Sequence, residues 1–396
     1  MSASPRYSRL RLILGTVVLP LLLAVIAAES YLALRERRPA HVLDGHIVTP
    51  FPSENEATVH ALRDRGVRAY PFVAPQQFSF RQYPRKNVKG GLFPLAGISN
   101  AVTELCNEAG RDIIYRSDIH GFNNPPEAWR NGSPKVALIG DSFVHGVCVA
   151  QPDQLATLIR NVVPATLNLG VLGAGPLSDL AVLREYAAPL RSKIVLWFFY
   201  EGNDIEDLAK EVDSRPINYL SPEYSQKLIE RQSEIDAMLM AFADSVLSAK
   251  QVMTPGFGDV PEMLTFPRVR KAIDMVEANA PNQIDFRRFA VLQIALQRAK
   301  QDVESWGGKL YVVYLPDYHR FDQRALAYSG YVHNNAEIER QVFSIARTEG
   351  ISVINVAKAF AADPNPRQYW PKPTSHYGPN GYALVARTVL AAIPAR

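Results

Sequence analysis

A serine that follows a short apolar run is the first residue whose type and place suggest chemistry. Ser142 stands directly after Gly140 and Asp141, and the apolar run before them ends at Ile139. If that run is a strand of an open α/β sheet, Ser142 lies where such sheets build their ligand crevices, beyond the carboxyl ends of the strands. We expect an exposed, oriented nucleophile there. Taken alone, Gly-Asp-Ser is weak evidence, because a serine N-cap makes the same strand-to-helix turn.

Two later segments could supply hydrogen-bond donors to a reaction at that serine. The stretch from Asn168 to Gly175 is rich in glycine, and its backbone amides could point at an anion. It lacks the lysine of a phosphate loop and the spacing of a dinucleotide fingerprint. Asn203 follows a third apolar run, and its side-chain amide can donate to a developing oxyanion. By itself, Asn203 is more often a turn residue.

A histidine near the C-terminus supplies a candidate general base. His376 lies in a loop that precedes an apolar helix predicted over residues 383–392. We expect this loop to follow the last strand, which places His376 at the same edge of the sheet as Ser142. The serine, the glycine-rich turn, the asparagine and the histidine, in this order, are more specific than any one of them.

The hydrophobic pattern of the chain predicts the strands and helices that position these residues. From residue 135 onward, short apolar runs alternate with helical patterns, which is typical of a parallel sheet covered on both faces. We predict an α/β fold, a flavodoxin-like three-layer α/β/α arrangement with a five-stranded parallel sheet. Its predicted strands are 135–139, 166–169, 194–199, 310–315 and 352–355.

The predicted domain organisation has three parts. They are an N-terminal anchor with flanking arginines at 1–38, a loop-rich lead-in at 39–130, and an α/β domain at 131–396 that carries the candidate residues and has a helical insertion at about 205–284. Within the insertion, Ser221-Pro222-Glu223 predicts the start of a helix that runs to about Lys250.

The four candidate residues and their order resemble the conserved motifs of the SGNH branch of the GDSL esterase and lipase superfamily. The resemblance covers about residues 135–396. Ser142 matches its block I serine, Gly173 its block II glycine, Asn203 its block III asparagine and His376 its block V histidine. The resemblance implies that His376 deprotonates Ser142, which attacks an ester carbonyl and forms an acyl-enzyme. The oxyanion would lie among the backbone amides of Ser142 and Gly173 and the amide of Asn203.

The family pattern usually has an aspartate two or three residues before the histidine. This chain has Thr374 and Pro373 there. The histidine would therefore be oriented by a backbone carbonyl or by another acid, for which Asp317 and Asp363 are the candidates. A serine–histidine dyad should retain much of its rate, because the oxyanion hole contributes separately.

The predicted function is a serine-dependent ester hydrolase or O-acyltransferase acting on acylated, especially acetylated, glycans of the cell envelope. Residues 115–125 resemble segments of bacterial envelope proteins related to alginate-type O-acetyltransferases, which suggests envelope polysaccharide machinery as a partner. Aromatic side chains could stack on sugar rings, although packing explains each equally well; they are Tyr314, Tyr318, Trp370 and Tyr377. The alternative is a noncatalytic carbohydrate-binding or scaffolding envelope protein that keeps the SGNH shell.

The N-terminal segment predicts a membrane anchor. An apolar run covers residues 12–28 and extends past Glu29 to Leu34, close to the ~20 residues that a bilayer requires. Arginines lie on both sides, so their distribution does not orient the helix. A cleaved signal peptide is the competing interpretation. We expect a single-pass protein of the bacterial inner membrane, with its catalytic domain in the periplasm or outside the cell.

The two cysteines bear on the same question. Cys106 and Cys148 could form a disulfide, which would place the domain outside the cytoplasm. Two unrelated buried thiols are an equally good interpretation, because sequence spacing does not give the separation of the Cα atoms.

Composition excludes several classes of partner. The chain has 396 residues, 47% hydrophobic and 21% charged, which predicts a globular protein. The net charge of +4 is scattered, without the basic and aromatic run typical of nucleic-acid binding. We predict no nucleic-acid partner, no cofactor and no metal, since the other histidines lack ligand spacing. His145 and His319 are expected near the crevice as surface residues.

Overall fold

The computed structural model describes residues 16, 19–35, 38–43, 46–48, 53–75, 92–106, 112–129, 132–254, 286–322, 329–372 and 376–394. The α-helices are α1 (Leu19–Arg35), α2 (Ser53–Arg63), α3 (Ser142–His145), α4 (Leu155–Arg160), α5 (Pro176–Val182), α6 (Asp204–Glu211), α7 (Gln232–Ser248), α8 (Phe286–Ser305), α9 (Ser329–Thr348), α10 (Val356–Ala361) and α11 (Pro379–Ala392). The β-strands are β1 (Arg38–Leu43), β2 (His46–Val48), β3 (Ala69–Pro71), β4 (Val102–Cys106), β5 (Ile113–Arg116), β6 (Val136–Ile139), β7 (Thr166–Asn168), β8 (Ile194–Tyr200), β9 (Lys250–Thr254), β10 (Lys309–Leu315) and β11 (Ser352–Asn355).

A five-stranded parallel sheet forms the centre of the larger compact unit. Its strand order is β11-β10-β8-β6-β7, and every pairing in it is parallel. This is the flavodoxin-like order, so the predicted α/β sheet is confirmed. The strands are continuous apolar runs because helices cover both faces; the first six residues of β8, for example, are all buried.

The sheet has its topological switch point between β6 and β8. From β6 the chain crosses to β7 on one side, and β8 then pairs with β6 on the other side. Ligand crevices of open α/β sheets lie outside the carboxyl ends of the strands at this point. Gly140 follows directly after β6. A Cβ added to it would lie 2.7 Å from Cγ2 of Val144 and 3.0 Å from Cβ of Phe198. Only glycine lets the turn into α3 pass so close to β8.

The lead-in is more ordered than its loop-rich sequence suggests. Strands β3, β4 and β5 form a second sheet, parallel between β3 and β4 and antiparallel between β4 and β5. The end of the lead-in is tied to the central sheet by Asn124. Its side chain donates to the carbonyl of Asn168 and accepts from the amide of the same residue, both at 2.8 Å. The lead-in from residue 50 onward and the central sheet thus belong to one compact unit.

The predicted helix start at Ser221 is wrong, since α7 begins at Gln232. The intervening chain wraps around the buried carboxylate of Glu185. That carboxylate accepts hydrogen bonds from the hydroxyl of Tyr219 and from the backbone amides of Gln226 and Leu228. These long-range bonds outweigh the local preference for a helix.

The smaller compact unit contains α1, β1, β2 and β9. Strand β1 pairs antiparallel with β2 and with β9, which comes from the insertion. The described part of the predicted anchor is α1, and residues 12–15 and 17–18 of that prediction lie outside the described residues. Within the part of the chain that the structure describes, no helix combines the length and apolarity needed to cross a membrane.

Candidate active site

Ser142 begins α3, a single helical turn directly after β6. The carboxylate of Asp141 accepts from the backbone amide of Phe143 at 2.9 Å and so caps the turn. Gly146 ends the turn with a φ of 89°, a left-handed conformation that glycine adopts without strain. Ser142 is only 7% exposed, so the nucleophile position is fixed and largely closed to solvent.

The structure brings Ser142 and His376 together. Their Oγ and Nε2 atoms lie 2.8 Å apart, the distance at which an imidazole can take the hydroxyl proton. The ring of Phe143 packs against His376 and Tyr377, with centroids 4.9 and 4.6 Å away. The hydroxyl of Tyr377 donates to the carbonyl of Pro316 at 2.6 Å, which fixes the loop of His376 to the end of β10.

Neither candidate orienting acid makes a hydrogen bond to His376 among the described residues. Asp317 accepts from the hydroxyl of Tyr200 at 2.7 Å and lies 2.8 Å from Nδ1 of His319. Asp363 accepts from the hydroxyl of Tyr369 at 2.7 Å. Thr374 and Pro373, which stand where the family has its aspartate, lie outside the described residues.

Asp317 and His319 form an ion pair at the carboxyl end of β10. The hydrogen bond that His319 donates to Asp317 raises the pKa of His319 above its usual value, although partial burial opposes this. Burial acts to raise the pKa of Asp317, but the bonds from His319 and Tyr200 prevail and lower it. Asp317 therefore stabilises the protonated form of His319.

The glycine-rich turn after β7 lies against the nucleophile turn. The amide of Val171 donates to the carbonyl of Gly140 at 2.9 Å, and the amide of Leu172 donates to Nδ1 of His145 at 3.2 Å. Gly173 follows with a φ of 76°, a left-handed backbone conformation that favours glycine at this candidate site position. These bonds fix the turn that carries Gly173 next to the start of α3.

Asn203 follows β8 at the N-cap position of α6. Its Nδ2 donates to Oδ2 of Asp207 at 3.0 Å. Because a carboxylate only accepts, this bond fixes which end of the amide faces Asp207. An amide nitrogen carries two hydrogens, and the second is the donor that an oxyanion would need.

Buried acids near the nucleophile are the largest feature that sequence analysis missed. Glu211 accepts from the backbone amides of Gly175, Leu177 and Ser178 and thereby caps α5. Both carboxylate oxygens of Asp179 are buried, and neither has a hydrogen-bond partner among the described residues. Burial first, and then the charges of Glu211 and Asp141, raise the pKa of Asp179 well above its usual value.

The same effect acts on two neighbouring acids. Burial raises the pKa of Asp141 to about 6 and that of Glu211 to about 7. One feature of the sequence could have indicated this cluster. The spacing of Asp204, Asp207 and Glu211 places all three acids on one face of a helix. Among the described residues, no group of three or more His, Cys, Asp or Glu side chains is arranged to hold a metal ion.

Cys106 and Cys148 form a disulfide, with Cα atoms 5.5 Å apart. It joins β4 of the lead-in to the turn that follows α3. The two cysteines thus link the lead-in to the element that carries Ser142.

The prediction that His145 is a surface residue is wrong, and for three of the four aromatic side chains the structure favours packing over sugar stacking. His145, the last residue of α3, is 1% exposed, and its ring lies between the lead-in and the glycine-rich turn. Tyr314, Trp370 and Tyr377 are also core residues, so they cannot stack on a sugar ring. The tyrosine hydroxyls make hydrogen bonds inside the fold; that of Tyr314, for instance, donates to Glu201 at 2.6 Å. Tyr318 alone of the four aromatic side chains is partly exposed.

The fold and the site together place a serine hydroxyl and an imidazole within hydrogen-bond distance at the carboxyl edge of a parallel α/β sheet. No family model matches the chain, and no curated protein matches it. Similar solved structures include a lipolytic protein of the G-D-S-L family from Desulfitobacterium hafniense, with 12% identity and a TM-score of 0.37, covering 66% of this chain and 99% of that one. A lipase/acylhydrolase from Enterococcus faecalis has 14% identity and a TM-score of 0.37, with 65% and 93% covered.

A third similar structure is a catalytic mutant of an acetylxylan esterase from Geobacillus stearothermophilus. It has 12% identity and a TM-score of 0.35, covering 66% of this chain and 94% of that one. The G-D-S-L family is the one that the sequence motifs resemble. Each of these TM-scores lies below 0.5.

Proposed function

We propose that this chain is a serine-dependent esterase that forms an acyl-enzyme on Ser142, with water or a sugar hydroxyl as the acyl acceptor. The observation that carries the proposal is the 2.8 Å separation of Ser142 Oγ and His376 Nε2. A nucleophile and a base within hydrogen-bond reach are the minimum equipment for covalent acyl transfer.

The reaction follows from these two groups. Nε2 of His376 takes the hydroxyl proton as Oγ of Ser142 bonds to the ester carbonyl carbon. The tetrahedral intermediate expels the alcohol, which leaves with the proton from His376. The acceptor hydroxyl then enters by the reverse steps: His376 takes its proton, its oxygen bonds to the acyl carbon, and Oγ regains a proton.

Three groups are proposed to stabilise the oxyanion. They are the backbone amides of Ser142 and Gly173 and the side-chain amide of Asn203. The turn that carries Gly173 is fixed to Gly140, at the start of the nucleophile turn. Preorganised donors of this kind typically contribute a factor of about 10²–10³ each to the rate.

The surroundings of Ser142 favour a small acyl group. The residue is 7% exposed, and the ring of Phe143 is covered by Tyr200, 4.2 Å away between centroids. A long acyl chain would have to displace these core rings, whereas an acetyl group adds only two carbons and one oxygen to the serine hydroxyl. The proposed substrate is therefore an acetyl ester, such as an acetylated glycan.

The proposed location is the bacterial envelope. The disulfide between Cys106 and Cys148 supports an oxidising compartment, because the cytosol keeps such pairs reduced. The apolar N-terminal run supports attachment to the inner membrane, with the domain in the periplasm or outside the cell. Envelope polysaccharide machinery is the partner that fits an acyl acceptor of this kind.

The test is the turnover of p-nitrophenyl acetate by the folded protein. Wild type should release p-nitrophenol, and Ser142→Ala should reduce kcat to background while its melting temperature stays the same. Ser221→Ala, which changes an exposed serine of the insertion, is the matched control. Equal turnover by wild type and Ser142→Ala would overturn the proposal. Acetyl transfer to an oligosaccharide, read by mass spectrometry, would separate transferase from hydrolase.

A further inference from the structure

His145 is a buried histidine at the last position of α3, three residues after the nucleophile. It is 1% exposed, and both of its ring nitrogens have partners. Nδ1 accepts from the backbone amide of Leu172 at 3.2 Å, and Nε2 lies 3.2 Å from the hydroxyl of Tyr115. The edges of the Phe72 and Tyr115 rings enclose the imidazole, with centroids 4.8 and 5.4 Å away.

These partners determine the tautomer of the ring. A backbone N–H can only donate, so Nδ1 of His145 must be the unprotonated, accepting nitrogen. The ring proton is then on Nε2 and points to the hydroxyl oxygen of Tyr115. Burial, followed by the charge of His376, lowers the pKa of His145 to about 3, which keeps the ring neutral.

The imidazole stands between the nucleophile turn and the turn that carries Gly173. A Cβ added at Gly170 would clash with the backbone of Val144 and His145, so the two turns are in direct contact. Leu172 is the residue before Gly173, and its amide is held by His145. The position of the Gly173 amide therefore depends on where the imidazole holds the preceding peptide.

We propose that His145 is a positioning residue that holds the Gly173 amide in the oxyanion hole through its neutral, Nε2-protonated tautomer. The lead-in takes part because the hydroxyl of Tyr115, on β5, accepts the hydrogen bond from Nε2–H in the tautomer that the Leu172 amide selects. This inference rests on the proposed function, because it assigns a task within the same site.

The kinetic test compares two replacements of similar size. Asparagine keeps an acceptor close to the place of Nδ1, whereas leucine has none. His145→Leu should lower kcat by roughly tenfold to a hundredfold with KM within about threefold, somewhat less than the loss of a whole oxyanion donor. His145→Asn should recover most of that loss. A merely structural histidine would give equal kcat values per folded molecule in both variants.

Two further measurements keep the inference open to disproof if His145→Leu fails to fold. Tyr115→Phe removes the acceptor of the ring proton and should lower kcat by a smaller factor, again with little change in KM. In wild type, ¹⁵N NMR of labelled histidine should show His145 as a neutral ring protonated on Nε2 from pH 5 to 9. A ring protonated on Nδ1, or a cationic ring, would contradict the inference even if the enzyme is active.

The outcomes separate this inference from the proposed function. A folded wild type without Ser142-dependent turnover would overturn both. An active wild type in which the leucine and asparagine variants lose kcat equally would overturn the role of His145 alone.

Discussion

The hydroxyl of Ser142 lies 2.8 Å from Nε2 of His376, although 234 positions of sequence separate the two residues. The parallel sheet makes this contact possible, because it collects the carboxyl ends of its strands at one edge. Ser142 follows β6 there, and the loop of His376 is held to the end of β10 by the hydrogen bond from Tyr377 to Pro316.

Replacement of Asp207 should weaken catalysis without touching the nucleophile. Its carboxylate accepts from Nδ2 of Asn203, so Asp207→Ala frees the amide to rotate away from the oxyanion. We expect kcat to fall about tenfold, the lower end of what the loss of an oxyanion donor costs. Asp213→Ala, which changes an exposed acid just after the same helix, is the control. Steady-state kinetics that show the same kcat for both variants would contradict this role of Asp207.

The link between the lead-in and the sheet can be tested at Asn124. Asn124→Asp has the same shape, but it places a carboxylate oxygen against the carbonyl of Asn168 and against the carboxylate of Asp118, which now accept from Nδ2. We expect the free energy of unfolding to fall by roughly 1–3 kcal/mol, because two buried acceptors lose their donor while the new carboxylate keeps only the hydrogen bonds that Arg160 and the Asn168 amide donate to Oδ1. Urea denaturation measures this. Asn161→Asp, at an exposed position, should change little, and equal midpoints for both variants would argue against the link.

The disulfide between Cys106 and Cys148 should stabilise the fold. It closes a loop with a sequence separation of 42. In the chain-entropy model such a loop contributes roughly 4 kcal/mol. Replacing both cysteines with serine should therefore lower the urea midpoint, and a reductant should lower it for wild type but not for the double variant. A wild-type midpoint that stays constant after both thiols have been shown to be free would contradict the prediction.

Stability should decrease as the pH rises, because the buried acids have raised pKa values. In the folded state Asp118 and Asp141 have pKa values of about 6 and Glu211 of about 7, whereas unfolded acids titrate near about 4. Between these values the folded state holds protons that the unfolded state has lost. The stability that these acids contribute is thus complete below about pH 4 and is lost as the pH rises toward about 7. A melting temperature that rises from pH 5 to pH 8 would contradict this.

A substitution of Asp179 should reduce the loss of stability that buried acids cause as the pH rises. Asp179→Asn removes a buried carboxylate that has no hydrogen-bond partner in the described part of the chain and whose pKa is raised by burial and by Glu211 and Asp141. We expect the variant to be more stable than wild type at pH 8 by roughly 1–3 kcal/mol and to lose less stability between pH 5 and 8. Asp64→Asn, at an exposed position, should follow wild type. A destabilised Asp179→Asn at pH 8 would show that the carboxylate has a partner in solution.

The sheet could be predicted because its strands carry a strong local signal. A strand buried on both faces must be apolar throughout, so β8 and β10 stand out from the helices around them. The crossovers then place residues after successive strands at one edge, which makes the proximity of Ser142 and His376 a consequence of topology.

The rest depends on contacts between residues far apart in sequence. No local pattern shows that Glu185 binds the chain around Tyr219 and Gln226 and so delays α7, or that β9 pairs with β1. The burial of His145 is of the same kind, because it arises from the lead-in strand that carries Tyr115.

The most direct test of the Ser142–His376 pair is labelling with a fluorophosphonate probe, because only an activated serine reacts with it. Wild type should be labelled at Ser142, as located by mass spectrometry of the peptides, and both Ser142→Ala and His376→Ala should lose the label. His319→Ala, which changes the partly exposed histidine after β10, should keep it. Folded wild type that does not react, or a Ser142→Ala variant that is labelled as fast as wild type, would contradict the proposed chemistry.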